Sequence, residues 1–111
     1  MTQLPNCDRA VIDLRKLSDY CLDPTHPRGR HKARVFRTSL GIEQIDAQWL
    51  QGAIAEALPT GEAVELAKDS FGTRWRVDIR VTRQSRRFVI RTVWIVKAGE
   101  NVPRFITCWV L

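Results

Sequence analysis

Arg74-Trp75-Arg76-Val77-Asp78-Ile79-Arg80-Val81-Thr82 alternates apolar and polar residues without a break. Successive side chains of a strand point to opposite faces, so Trp75, Val77, Ile79 and Val81 make one row and Arg74, Arg76, Asp78, Arg80 and Thr82 the other. One face suits a core; the other suits water or a charged ligand. Downstream, Gln84-Ser85 begins a hairpin turn. Arg87 to Val96 predicts a strand that is apolar on both faces near its end, as a central strand is. Ala98-Gly99-Glu100-Asn101 turns the chain again, and Arg104 to Val110 predicts the last strand. Upstream, Phe71-Gly72 is a turn signal. Glu62 to Ala67 is a looser strand, with Val64 and Leu66 on one side and Ala63, Glu65 and Ala67 on the other. On the last strand Phe105, Thr107 and Trp109 share one side, Ile106 and Cys108 the other. With Ile106 and Cys108 in the core, Thr107 and Trp109 lie on the open face beside the arginines; the two aromatics allow the opposite assignment.

Before Gly61 the period is 3.6 rather than 2. Residues 1–9 read as a loose start, broken by Pro5 and Asn6, and Ala10-Val11-Ile12 as a short extended piece. Asp13 caps a helix from about Leu14 to Leu22, with Leu14, Leu17 and Cys21 at helical spacing and Leu22 on the buried side. Asp23-Pro24 ends it. A central helix stops at Gly41, the natural C′ glycine. Asp46 predicts the cap of a third helix, Ala47 to Leu58, with Leu50, Ile54 and Leu58 as its core line. Pro59-Thr60-Gly61 stops it. The expected fold class is therefore α+β, with about three N-terminal helices packed on one face of a four-stranded antiparallel sheet.

The basic residues concentrate at the start of the central helix. His26-Pro27-Arg28-Gly29-Arg30-His31-Lys32-Ala33-Arg34-Val35-Phe36 holds both histidines, and no acid lies between Asp23 and Glu43. Pro27 fits a first helical position. On the helical wheel Gly29, Ala33, Phe36 and Leu40 form the core stripe. Arg30, Arg34 and Arg37 form a second stripe, and His31 points nearly opposite the core. Lys32 falls at the edge of the apolar face, where its stem covers apolar atoms and its charge reaches along the surface. A helix start among such side chains offers free N–H groups and positive dipole to an anion. A plain solvated basic helix is the competing reading.

The chain has 111 residues, which suits one domain spanning 1–111, and 44% hydrophobic residues with four tryptophans, which suits a folded one. Its formal charge of +6 points to an acidic partner such as RNA or an acidic protein. Cys7, Cys21 and Cys108 are odd in number and far apart, with no CxxC pair. A zinc site is not expected, nor any metal or cofactor, and free thiols fit a reducing cytoplasm. No apolar run is long enough to span a membrane. Serine-nucleophile motifs and glycine-rich nucleotide loops are absent.

Several stretches carry a resemblance. Leu22-Asp23-Pro24-x-His26-Pro27-x-Gly29-x-x-Lys32-Ala33-x-x-Phe36 with Leu40-Gly41, Phe71-Gly72 with Trp75, Thr92-Val93-Trp94-Ile95, and Pro103-Arg104-Phe105-Ile106-Thr107 together resemble a small bacterial domain family of unknown function. The likeness covers nearly the whole chain. It implies a setting among polymorphic toxins or toxin–antitoxin pairs, with a small acidic antitoxin or immunity protein as partner. Relatives often carry small residues where this chain has Arg28-Gly29-Arg30-His31. The layout is also similar to the ribonuclease superfamily of barnase, EndoU, colicin-type ribonucleases and RelE, which implies RNA cleavage on the sheet's concave face.

Metal-independent RNA cleavage uses the ribose 2′-OH as nucleophile and needs a base, an acid and cations for the charged phosphorane. His26 is the acid–base candidate. Lys32 and Arg74 are the candidate charge stabilisers, and Thr107 a candidate to orient a phosphate oxygen. Arg28, Arg30, His31, Arg76 and Arg91 would bind the RNA backbone, with Trp109 stacking a base. The rival expectation is a non-enzymatic basic domain that docks an acidic partner protein or RNA, its sheet face merely solvated and paired across strands, for instance Asp78 with an arginine.

Overall fold

The computed structural model describes residues 2–111. Two α-helices, α1 (Arg30–Leu40) and α2 (Ala47–Ala57), precede four strands: β1 (Glu62–Asp69), β2 (Gly72–Arg83), β3 (Arg86–Lys97) and β4 (Pro103–Val110). The strands form one antiparallel sheet in the order β1-β2-β3-β4, a simple meander. The architecture is α+β with helices N-terminal to the strands.

Periodicity explains the layers. Phe36 and Leu40 of α1 and Leu50 and Ile54 of α2 are buried against Val77, Ile79, Val81, Ile90 and Trp94 of the sheet, while Ala33 is buried on the side of α1 that faces Leu22 and Ile42. Leu58 extends that line beyond α2 into a 3₁₀ turn, Leu58–Thr60. Trp94 meets Phe105 edge-on at 5.4 Å. The one buried polar residue among those described, Thr92, donates to the Val77 carbonyl at 2.7 Å and accepts from Trp94 Nε1 at 2.8 Å, so nothing polar there is left unpaired.

Four local expectations change. The first helix is a single π-helical turn, Leu17–Cys21; Leu17, Cys21 and Leu22 are buried as expected, but Leu14 is exposed. Asp13 still accepts the Arg15 N–H at 3.0 Å. The amino terminus is not loose: Leu4 is buried, and Ala63 N–H donates to the Thr2 carbonyl at 2.9 Å. Asp46 does not cap α2; a 3₁₀ turn, Gln44–Asp46, leads into that helix, and Glu43 caps it in a reciprocal box with Asp46. Finally, the register of β3 and β4 shifts between Val93 and Trp94, so Thr107 pairs with Val93 and Phe105 with Trp94. Ile106 is the extra residue of a bulge. Phe105 and Cys108 are therefore both buried, and Ile106 is not.

The β2–β3 hairpin turns on Gln84 and Ser85, with φ of 49° and 68°. Two residues of positive φ match the twist of the strands but cost a side-chain-bearing residue about 1 kcal/mol each. Replacing the pair by Asn-Gly is expected to raise stability by about 1 kcal/mol, read as a higher denaturation midpoint. An unchanged or lower midpoint would contradict this account of the turn.

Candidate functional site

Lys32 projects from the first turns of α1 onto the edge strand β4. Its ammonium donates to the Tyr20 hydroxyl at 2.9 Å and to Thr107 Oγ1 at 3.0 Å. It also lies 4.8 Å from the Tyr20 ring centre and 5.3 Å from that of Trp109. An ammonium has three donors; two are engaged here, and the third is free to meet a phosphate oxygen. The stripe position of Lys32 and the bulge at Ile106 together create this corner.

His26 stands beside it, its ring edge-on to Tyr20 at 4.8 Å. Its Nδ1 accepts the backbone N–H groups of Arg28 at 3.0 Å and Gly29 at 2.9 Å. The imidazole thus does the work of an N-cap, while Pro27 lies in the turn before the helix rather than in its first position. With Nδ1 accepting both N–H groups, the neutral ring carries its hydrogen on Nε2, which is left to donate a hydrogen bond outward. His26→Ala is expected to cost about 1 kcal/mol, as loss of a cap does, and His26→Asn to recover most of it. Thermal denaturation of both variants checks this; equal losses would show that the cap is not what His26 contributes to stability.

Cys21 completes the buried side of the corner. Its Sγ is 3.5 Å from Thr107 Oγ1. A hydrogen bond from the Cys108 thiol, helped by Thr107 and the Lys32 charge and opposed by burial, lowers Cys21 from 9.0 to about 6. Burial raises Cys108. A cysteine whose folded value lies below its unfolded one adds stability that is complete above the unfolded value and lost as pH falls through the folded one. Stability is therefore expected to climb between pH about 6 and about 9. Above that window Cys108 acts in the opposite sense. Urea titrations across this range should show the rise in the natural chain and a flatter profile in Cys21→Ser; equal slopes would count against a thiolate at position 21.

The sheet's open face supplies cations unevenly. One cross-strand row runs Val64, Arg76, Val93, Thr107, and the next Glu62, Asp78, Arg91, Trp109. Arg76 shares the row of Thr107, two strands and about 10 Å away. Arg91 lies next to Trp109 but is bound bidentately by Asp78 at 2.9 and 3.0 Å. That guanidinium holds the Asp78 carboxyl below its usual range. Arg74 is not brought to Lys32: its row passes through Ile95 to Arg104, and its guanidinium is held by Asp69 at 2.8 Å. Arg28 is exposed in the turn before α1. Arg30 and His31 line a different cleft, on the other side of the helix from Lys32.

Two site residues escaped the sequence reading. Tyr20 is the only tyrosine, and its place inside a predicted helix gave no sign that the π turn aims its hydroxyl at Lys32. Lys16, whose Nζ donates to the Phe105 carbonyl at 2.9 Å, adds a second lysine on β4. Among the described residues no group of three or more metal-ligating side chains gathers, and no helix is long and apolar enough to cross a membrane.

Fold and site define a small α+β domain that presents a lysine, two hydroxyls and an indole at the edge of an antiparallel meander. The chain belongs to the family described as Domain of unknown function (DUF6883), whose model matches residues 3–111. No curated protein and no solved structure matches it.

Proposed function

We propose that the domain is a metal-independent ribonuclease, the toxin of a toxin–antitoxin or polymorphic toxin module, that cleaves RNA by attack of the ribose 2′-OH. The observation that carries the reading is the convergence of Lys32, Thr107 and Tyr20 within 3.0 Å hydrogen bonds, beside His26 and Trp109. In this reading the ammonium holds a non-bridging oxygen and meets the charge that builds on the phosphorane, and Thr107, which accepts from the ammonium, orients it toward that oxygen. The 2′-OH gives up its proton to solvent water and the 5′-oxygen leaves with a proton from water, while His26, whose Nδ1 is engaged as an acceptor, donates an Nε2–H hydrogen bond to the phosphorane or leaving oxygen. Trp109 stacks a base, and Arg76 binds the strand further along. Tyr20 fixes the direction of the ammonium. The order of elements, helices followed by an antiparallel meander, supports the reading, as do the free cysteines, which suit the reducing cytoplasm in which such an enzyme would meet RNA.

A second reading, a non-enzymatic basic domain that docks an acidic antitoxin or immunity protein or an RNA, is favoured by one observation. Arg74 and Arg91 are already tied to carboxylates, which leaves fewer cations around Lys32. Incubating the purified protein with total RNA in a chelator separates the two. The enzyme reading expects cleavage that is lost in Lys32→Ala and reduced in His26→Ala. No cleavage, or cleavage indifferent to both substitutions, would leave the binding reading standing.

A further inference from the structure

Helix α1 borders a second cleft. Opposite Lys32, its outer face and the segment 42–45 enclose a cleft of about 540 Å³. The floor is aliphatic: Leu22, Ala33 and Ile42 are buried there. One wall carries Arg30, Arg34 and Arg37, at helical positions i, i+4 and i+7, and so on one face. None of the three is paired with a carboxylate among the described residues; Arg34 only meets His31 Nδ1, at 3.1 Å. Glu43 is the single acid on the lining, and its carboxylate is engaged in the box that caps the next turn. On the lip stands Ile45, 89% exposed, the most exposed large apolar residue described.

We infer that this cleft is the docking groove for an acidic amphipathic segment of a partner protein, aliphatic side chains on its floor and carboxylates on the Arg30–Arg34–Arg37 wall. Two features favour a peptide over RNA. The one aromatic ring on the lining is the His31 imidazole, which is tied to Arg34, and no Phe, Tyr or Trp offers a base a stacking platform there, whereas Tyr20 and Trp109 both lie with Lys32. And an aliphatic floor with an exposed isoleucine at its rim matches the apolar stripe of a helix seated in a groove. The arginine wall supplies the charge complementarity that selects an acidic stripe beside the apolar one. The inference stands apart from the ribonuclease reading, because none of its residues belongs to the Lys32 corner.

The test is a titration of the full chain with a labelled amphipathic helical peptide bearing leucines on one face and glutamates along its flank, followed by fluorescence polarisation and by NMR shifts. Saturable, salt-sensitive binding is expected, with shifts centred on Ile45, Ile42 and Arg34. Affinity should fall at least about tenfold in Arg34→Glu and in Ile45→Asp, both at exposed positions, and stay unchanged in Lys32→Ala. Absence of binding would overturn the inference. So would binding indifferent to both substitutions, shifts centred on Arg76 and Arg91, or displacement of the peptide from these same residues by a single-stranded RNA oligonucleotide.

Discussion

Lys32→Met is expected to lower RNA cleavage by about two to three orders of magnitude while leaving the fold intact. Methionine keeps an unbranched stem along the α1–β4 contact and deletes only the charge. Removing one preorganised donor to a developing oxyanion costs that much in other enzymes, because nothing else stands ready to meet the charge. The structure gives a reason to expect the full effect here: Arg91, beside Trp109, is held by Asp78, and Arg74 lies on another row of the sheet. The Tyr20 and Thr107 hydroxyls lose a partner but are only partly buried, so water can replace it. The stability change should therefore stay within about 1 kcal/mol. Steady-state cleavage rates with parallel denaturation curves check both halves; a rate within threefold or so of the natural chain would remove Lys32 from the chemistry.

Gly29→Ala is expected to damage both stability and activity. At φ −88° Gly29 has a backbone that any residue adopts, so conformational freedom does not explain it. Space does. A Cβ there would overlap the Tyr20 carbonyl oxygen and come within 2.9 Å of the Tyr20 Cδ1 atom. The obstruction is backbone, so either the start of α1 or the π turn must move. Overpacking of this kind costs about 1–3 kcal/mol. The displaced parts hold the His26 cap and the Tyr20–Lys32 bond, so cleavage should fall alongside stability, and most steeply when Tyr20 is the part that yields. A variant as stable and as active as the natural chain would show that the close approach of the 29 and 20 backbones does not position the site.

Much of this arrangement is readable before any coordinates. The 3.6 period of Ala33, Phe36 and Leu40 and the alternation from Trp75 to Val81 name their buried faces, and the turn residues place the hairpins. The boundary position of Lys32 follows from the same wheel. What is not readable is what depends on a single-residue change of phase. Cys108 lies in the core with Thr107 and Trp109 on the opposite face, as one of the two alternations has it, but one extra residue at Ile106 puts Phe105 on the core side as well, which neither alternation offers. Widening one helical turn by a residue at Leu17–Cys21 likewise aims Tyr20, and no pattern of apolar residues marks it. Pairing is hidden for a different reason. Arg74 looks free in sequence, yet the β1–β2 turn brings Asp69 back to it, as the β2–β3 register brings Asp78 to Arg91. An arginine's availability is set by which carboxylate the fold delivers to it, and that is a property of the register.

The central claim is that the corner formed by Lys32, Thr107 and Tyr20 serves a phosphodiester whose own 2′-hydroxyl is the nucleophile. A DNA strand carrying one ribonucleotide tests it most directly, incubated with the protein in a chelator and analysed for its new ends. The account predicts a single cut on the 3′ side of the ribose, leaving a 2′,3′-cyclic phosphate, and no cut in the all-DNA strand. An intact chimera, or cleavage of both strands alike, would contradict it.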